Sequence, residues 1–414
     1  MPHFPNPYDF VPLESGPDRS AKWRSQENAG QGLTGKITCE LTVLTPLFVG
    51  AVQPESQGQQ VQYVPVRYGD TPVLPASALK GMLRSVMEAA SNSCLGVLSV
   101  SYKDVGKVTD SMAKGYRSCI RIGELCPVCA LMGMTEETAD GSQEKGNALA
   151  GRVLITDAQP VEGKLPTPTP VTLPARKDQR GKVVPIGSPK PSHKLFYFDT
   201  NGQLLGRKFY YRTAKWRETI QKNTGIFQKA LKDDFRTIGL TAITPTSVFS
   251  FDIYFNNLSP SELDLLVYGL ALEEGACHHL GYAKPFGLGS VQIEIKSIKY
   301  HATADGTTGP LRYLQFQPDE AKVWKEYDYT GYADRVWDRE PQAPQTRQKL
   351  LHILQWPRQD IFLYPDRKGF FNETDQKWKS LAQYQSEAHW VQAKQSLPKS
   401  AVADDVIKFL KLDR

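Results

Sequence analysis

Four of the six cysteines are grouped in a way that could bind metal. Cys126-Pro-Val-Cys129 places two residues between thiols, a spacing that lets both face one ion. Six residues separate Cys119 from Cys126, and Cys94 lies a further twenty-five upstream. Four thiolates fill a tetrahedral zinc site and leave no position for a substrate. Such a metal folds a segment rather than catalyses. The alternatives are a redox pair or small core residues. A thioredoxin-type C-x-x-C follows a strand and opens a helix, and that context is absent here.

A second cluster is Gly281-Tyr-Ala-Lys284-Pro-Phe-Gly287-Leu-Gly289-Ser290. Glycines let backbone approach a ligand and turn N–H groups outward, and Lys284 adds a point charge, a combination suited to phosphate. No helix follows, so it is not a dinucleotide fingerprint. A tight glycine hairpin into a strand explains the same residues. A third cluster is Ser77, Lys80 and Arg84, at the start of a helical pattern behind Pro75. There Ser77 reads as the N-cap and the helix end as an anion site. A capped amphipathic helix with two exposed cations is the plainer alternative.

Charge points the same way. The net charge is +6, yet residues 161–240 alone hold ten more basic than acidic residues, leaving the remainder at −4. A local basic block on a near-neutral body is the footprint of a polyanion binder, or of a solvated insertion. Aromatics interleave with it: Phe196, Tyr197, Phe198, then Phe209, Tyr210, Tyr211 and Trp216. Bases stack on such rings while Lys and Arg follow phosphates, although F-Y-F and F-Y-Y runs also read as core strands.

Elements must hold these clusters in place. Ile37, Cys39, Leu41 and Val43 alternate along 36–44 as a half-buried strand. Leu79, Met82, Leu83 and Val86 mark a helix over 77–90. Residues 151–157 read as a strand, as do 248–255, with Phe249, Phe251, Ile253 and Phe255 on one face. Ser259-Pro-Ser-Glu262 is a capping box opening a helix that ends at Gly275. Val291, Ile293 and Ile295 mark a last strand over 290–298. The order β-α-β, β-α-β predicts an α+β, ferredoxin-like βαββαβ unit. It is interrupted by a cysteine-rich insertion (91–150) and a basic insertion (158–245). The expected organisation is an arm over 1–35, a core over 36–300 and a Trp-rich helical extension over 301–414. No segment approaches the ~18 apolar residues of a membrane span, and the N-terminus carries no secretory pattern, so a cytoplasmic protein is expected.

Several pieces together resemble the RAMP superfamily of CRISPR-associated proteins, specifically the backbone subunits of type III effector complexes. They are PLFVG (46–50), LPASALKGMLRS (74–85), CPVCALMGM (126–134) with the following GRVLITDA (151–158), and GYAKPFGLGSV (281–291). NPYDFVPLE (6–14) and GRKFYY (206–211) look like one subgroup of these proteins. The resemblance covers about 1–300. It implies an RRM-like palm that stacks along a CRISPR guide RNA, beside target RNA, other RAMP subunits and the large subunit of the complex, in antiviral defence. It implies guide contacts from Ser77, Lys80, Arg84, Gly281, Lys284, Gly287 and Gly289, and with the basic insertion Arg207 and Lys208.

Some such subunits cut target RNA with an Asp in the loop after the first strand. Here that loop lacks it, offering Glu55 and, further on, Asp70. Other acids, Asp178, Asp233 and Asp234, lie among the cations of the basic insertion. An acid there would need Mg or another divalent ion, so a metal-dependent endoribonuclease is the runner-up to a guide-binding scaffold. A zinc hydrolase unrelated to RNA is a distant third. No HExxH spacing exists, and His278 and His279 are adjacent, pointing apart on a helix.

Overall fold

The architecture is taken from a computed structural model. It describes residues 7–14, 16–20, 32–50, 55–57, 60–95, 115–121, 123–135, 148–161, 166–177, 181–186, 204–301, 324–338, 343–363, 371–372 and 377–378.

The described N-terminal strand β1 (Tyr8–Val11) is followed by the long β2 (Leu33–Val43), whose odd-numbered residues from Gly35 to Val43 are buried. Two short strands, β3 (Glu55–Gln57) and β4 (Gln60–Tyr63), precede helix α1 (Ala76–Ala90). The cysteine region holds α2 (Pro127–Met132), β5 (Gly133–Thr135) and β6 (Ala148–Ala150). After β7 (Val153–Ile155) come β8 (Pro168–Lys177), β9 (Val183–Pro185), β10 (Arg207–Tyr210), α3 (Trp216–Leu231) and β11 (Phe235–Ile243). The core resumes with β12 (Val248–Leu258), α4 (Pro260–Ala271), β13 (His278–His279) and β14 (Ser290–His301). Helices α5 (Tyr332–Trp337) and α6 (Ala343–Leu354) follow.

The central sheet runs β7-β12-β2-β14, antiparallel throughout, with β13 beyond β14. Numbered within the repeat, that is the second, third, first and fourth strand side by side, the order a split βαβ fold requires. Register follows the buried face: Ile37 lies between Ile253 and Ile298, and Leu41 between Phe249 and Ile293. A one-residue slip would turn every one of these side chains to water. Helices α1 and α4 pack on each other over this face. Leu79, Leu83 and Met87 meet a core to which Leu263, Leu266 and Leu270 also belong. The fold class is therefore the α+β, ferredoxin-like one that the alternation implied.

The capping box forms: Ser259 Oγ accepts from Glu262 N, while Glu262 Oε2 accepts from Ser259 N at 2.8 Å. The helix stops at Ala271 rather than Gly275, because Leu272 already turns left-handed (φ 58°). Ser77 is not the N-cap of α1. Pro75 holds that position, Ser77 is exposed, and Asp157 Oδ1 accepts from Ala76 N at 2.7 Å. The cap therefore comes from the end of the neighbouring strand segment.

A second sheet, β9-β8-β11-β4-β3, joins the basic insertion to the loop after β2. Its β11 pairs antiparallel with β8 and parallel with β4. Pro168, Pro170 and Pro174 are tolerated in β8 because β9 covers only Ala175–Lys177 on its other side. Ile220, Phe227 and Leu231 of α3 lie in the apolar core of this sheet. Helices α5 and α6 lie against the palm, with Trp337 edge-on to Tyr268 (5.8 Å between centroids). The end of the extension expected to be helical, residues 379–414, lies outside the described residues, as do Phe196, Tyr197, Phe198 and Asp178. Among the described residues no helix is long and apolar enough to cross a membrane.

Removing the Ser259 hydroxyl leaves the Glu262 amide without its cap. Ser259→Ala is expected to lower stability by about 1 kcal/mol, read as a lower denaturant midpoint at unchanged slope.

Candidate nucleic-acid interface and metal centre

Cys94, Cys119, Cys126 and Cys129 converge, each at most 1% exposed, with ligand atoms all within 4.8 Å of one another. Cys94 leaves the end of α1, and Cys126 caps α2 so that Cys129 returns one turn later. Cys94 Sγ lies 3.5 Å from Cys129 Sγ and 3.6 Å from Cys126 Sγ. Four sulfurs at the ~2.3 Å bond length of zinc would stand about 3.8 Å apart. The donor set therefore fits one tetrahedral ion. Thiol hydrogen bonds from Cys119, Cys129 and Cys94 pull the Cys126 thiol below its ordinary pKa. Four sulfurs close the coordination sphere, so these residues could hold a metal structurally but not offer it a substrate. The other cysteines, Cys39 and Cys277, are buried and separate.

The two glycine motifs meet. Tyr282 N donates to the Phe48 carbonyl at 2.9 Å, and Gly289 N to Pro46 O at 3.0 Å. A Cβ at Gly281 would collide with that Phe48 oxygen, and one at Gly289 with Leu280 O, both from left-handed backbone (φ 77° and 84°). Gly287 (φ 82°) packs on Thr213 and Trp216. Close backbone approach alone thus accounts for the three glycines. It does not account for Lys284. This lysine lines an apolar cavity of about 250 Å³ with Leu173, Ile186, Tyr210, Tyr282 and Phe286. Burial lowers its pKa to about 8, the Arg212 guanidinium adds to the shift, and no acid among the described residues offsets it.

The family profile of the RAMP superfamily matches residues 40–292. This chain belongs to the RAMP superfamily. No curated protein matches it. Among solved structures, it is similar to a chain of a complex described as "Cryo-EM structure of the Type III-B Cmr-beta bound to cognate target RNA". That match has 16% identity and a TM-score of 0.32, covering 65% of this chain. The chain spans 61% of that relative's length.

Within this RAMP core the remaining expected contacts divide sharply. Lys80 is half-buried on α1, and burial followed by the nearby Arg84 charge lowers its pKa. Lys80 and Arg84 line a cleft of about 430 Å³ with Ser118, Met134, Thr135 and Leu149. Arg84 is already engaged: Nε donates to Glu88 Oε1 at 2.8 Å, Nη1 to Gly133 O at 3.0 Å and Nη2 to Cys129 Sγ at 3.2 Å. The start of α1, expected as an anion site near Ser77, is filled by Asp157, whose carboxylate also accepts from Tyr68 Oη. Those two bonds, Tyr68 first, lower the Asp157 pKa.

Arg207 and Lys208 do not face outward. Arg207 is 5% exposed, donates to the Ser93 and Cys94 carbonyls, and stacks on Tyr116. The Lys208 ammonium lies 4.0 Å from the Tyr8 ring centroid, and burial holds its pKa well below the usual value. Phe209 and Tyr211 are core, the latter stacked on Phe362. Alternation on a strand accounts for the burial of Arg207, Phe209 and Tyr211.

The candidate acids are not gathered. Asp233 and Asp234 are exposed in the turn before β11, where Arg236 donates to the Asp233 carbonyl. Glu55 on β3 pairs with Gln62, which lies beside Gly239 of β11. Asp234 is five residues before Gly239, roughly 16 Å along a strand at ~3.3 Å per residue. Among the described residues the four cysteines are the one metal-type cluster. His278 and His279 are buried in strand β13, each with Nε2 at a backbone carbonyl. Sequence reasoning missed Asp157, which had a signal in the Asp ending GRVLITD. It also missed Arg19, whose Nη1 donates to Cys119 Sγ at 2.9 Å and which had none.

Glycine requirements separate cleanly. Gly289→Ala adds a collision to a left-handed backbone and is expected to cost upwards of ~2 kcal/mol. Gly81, mid-helix with open space at its Cβ, is expected to gain about 0.5–1 kcal/mol as Ala. Paired thermal melts check both signs.

Proposed function

We infer that this RAMP protein is a guide-RNA-binding backbone subunit of a type III CRISPR effector complex, shaping the guide–target duplex as a scaffold. The observation that carries the reading is Lys284. A lysine in an apolar cavity without an acid partner among the described residues is a standing cost that a bound phosphate would relieve. It sits where the PLFVG and GYAKPFGLG motifs of the family converge, and Lys80 gives a second cation in its own cleft. The dispersed acids favour a scaffold over an endoribonuclease. On the open face of the central sheet two cations are already paired, Lys36 with Asp252 at 3.1 Å and Lys296 with Glu294 at 2.9 Å. In this reading the four cysteines hold one structural zinc ion. Target RNA, other RAMP subunits and the large subunit are the partners.

Binding of unrelated single-stranded RNAs tests it. Lys284→Gln with Lys80→Gln should weaken all of them about equally. The log–log salt slope should fall by roughly 0.7 per lost contact. An unchanged slope sinks the reading.

The pH dependence has a definite sign. Phosphate binds the ammonium form, so affinity should be flat below pH 7 and decline as pH rises through about 8, where free Lys284 deprotonates. Lys284→Gln should remove that decline. The free protein behaves oppositely: unfolded lysine holds its proton to ~10.4, so this group adds stability as pH rises from 8 to that value.

Elemental analysis of the purified chain should give about one zinc per chain, and Cys126→Ser should abolish it.

A further inference from the structure

A buried zinc tetrathiolate carries two negative charges in excess of its ion, and such a charge must be met by donors. Two guanidinium groups reach the sulfurs here. Arg84 Nη2 donates to Cys129 Sγ at 3.2 Å from helix α1. Arg19 Nη1 donates to Cys119 Sγ at 2.9 Å from the N-terminal arm. The Cys126 backbone N–H adds a third bond to Cys119 Sγ at 3.3 Å. Glu88 is a carboxylate beside Arg84. It takes Arg84 Nε and lies 3.9 Å from Arg207, so its charge is covered separately. The two guanidinium charges therefore balance the excess of the filled centre.

This end of the arm is fastened here. Arg19 Nη2 also donates to the Gly115 and Arg117 carbonyls, at 3.0 and 2.6 Å. Glu14 N donates to Tyr116 Oη at 3.1 Å, and Asn92 Nδ2 donates to Gly16 O. Every one of these partners lies in a segment that leads into a cysteine ligand: 92 into Cys94, and 115–117 into Cys119.

We propose that Arg19 and Arg84 are positioning residues for the metal: they clamp the filled cysteine centre from two sides, so that metal loading, docking of residues 14–19 and the setting of the Lys80–Arg84 face are one coupled equilibrium. The proposal rests on the zinc reading above and adds its consequence. Coupling between two events is reciprocal. Whatever factor the docked arm contributes to metal retention, the metal contributes to arm docking.

The test uses the full-length, zinc-loaded chain. Elemental analysis comes first: a chain purified without chelator and lacking zinc removes the metal reading, and this proposal with it. Given zinc, its release to a chromogenic chelator is followed at one pH. Arg19→Met and Arg84→Met should each release zinc about tenfold faster, the scale of one lost charge-assisted hydrogen bond. Arg121→Met should not, because Arg121 is exposed on the same ribbon and pairs with Glu124. Arg84→Lys keeps the charge without the fork and should fall between. Hydrogen exchange on the wild-type chain needs no variant. Stripping the metal should accelerate exchange of peptides covering 14–20 to the rate seen in loaded Arg19→Met. Release rates equal to wild type in both methionine variants would overturn the clamp. So would arm protection identical with and without metal.

Discussion

A guanidinium taken out of water must be met by acceptors from several directions at once, and the pieces of this chain are joined through that requirement. Arg152 reaches the Ala130 and Asn257 carbonyls and Glu262, tying the cysteine region to both ends of the β12–α4 connection. Arg207 ties β10 to the loop carrying Cys94. Arg212 joins the Tyr210 and Cys277 carbonyls, and Arg358 donates to the His352 carbonyl in the last turn of α6. All four are 7% exposed or less. The palm has the largest apolar core. The insertions, with smaller cores, are held to it by these charged bridges, each costly to break because the partner would remain buried.

That division explains what could be read from the chain and what could not. Strands β2, β12 and β14 and helices α1 and α4 repeat apolar residues at their own period and face one core, so they stand out. The capping box is local, and its four residues suffice. The cysteine set is legible because metal geometry demands few donors at short spacings. Long-range donors leave no such trace. Arg19 and Arg207 look like any cations until the fold brings a thiol or a carbonyl within reach. Asp157 caps a helix that begins eighty-one residues earlier. The pairing of β4 with β11, parallel and across the whole insertion, likewise has no local signature.

The same logic bears on how a basic block should be counted. Lysine and arginine are equal in a sum of charges but not in burial. Five donors in a fixed fork satisfy several carbonyls together, whereas an ammonium is a compact, strongly hydrated point. In this fold four buried arginines, Arg152, Arg207, Arg212 and Arg358, serve as cross-links. Lys80 and Lys284 line clefts, while Arg84, Arg207 and Arg212 have their donors taken. The electrostatic footprint of the insertion is therefore smaller than its composition suggests. Within the run itself, Arg207 and Arg212 are spent on backbone carbonyls, while Arg217 and Lys232 stay exposed.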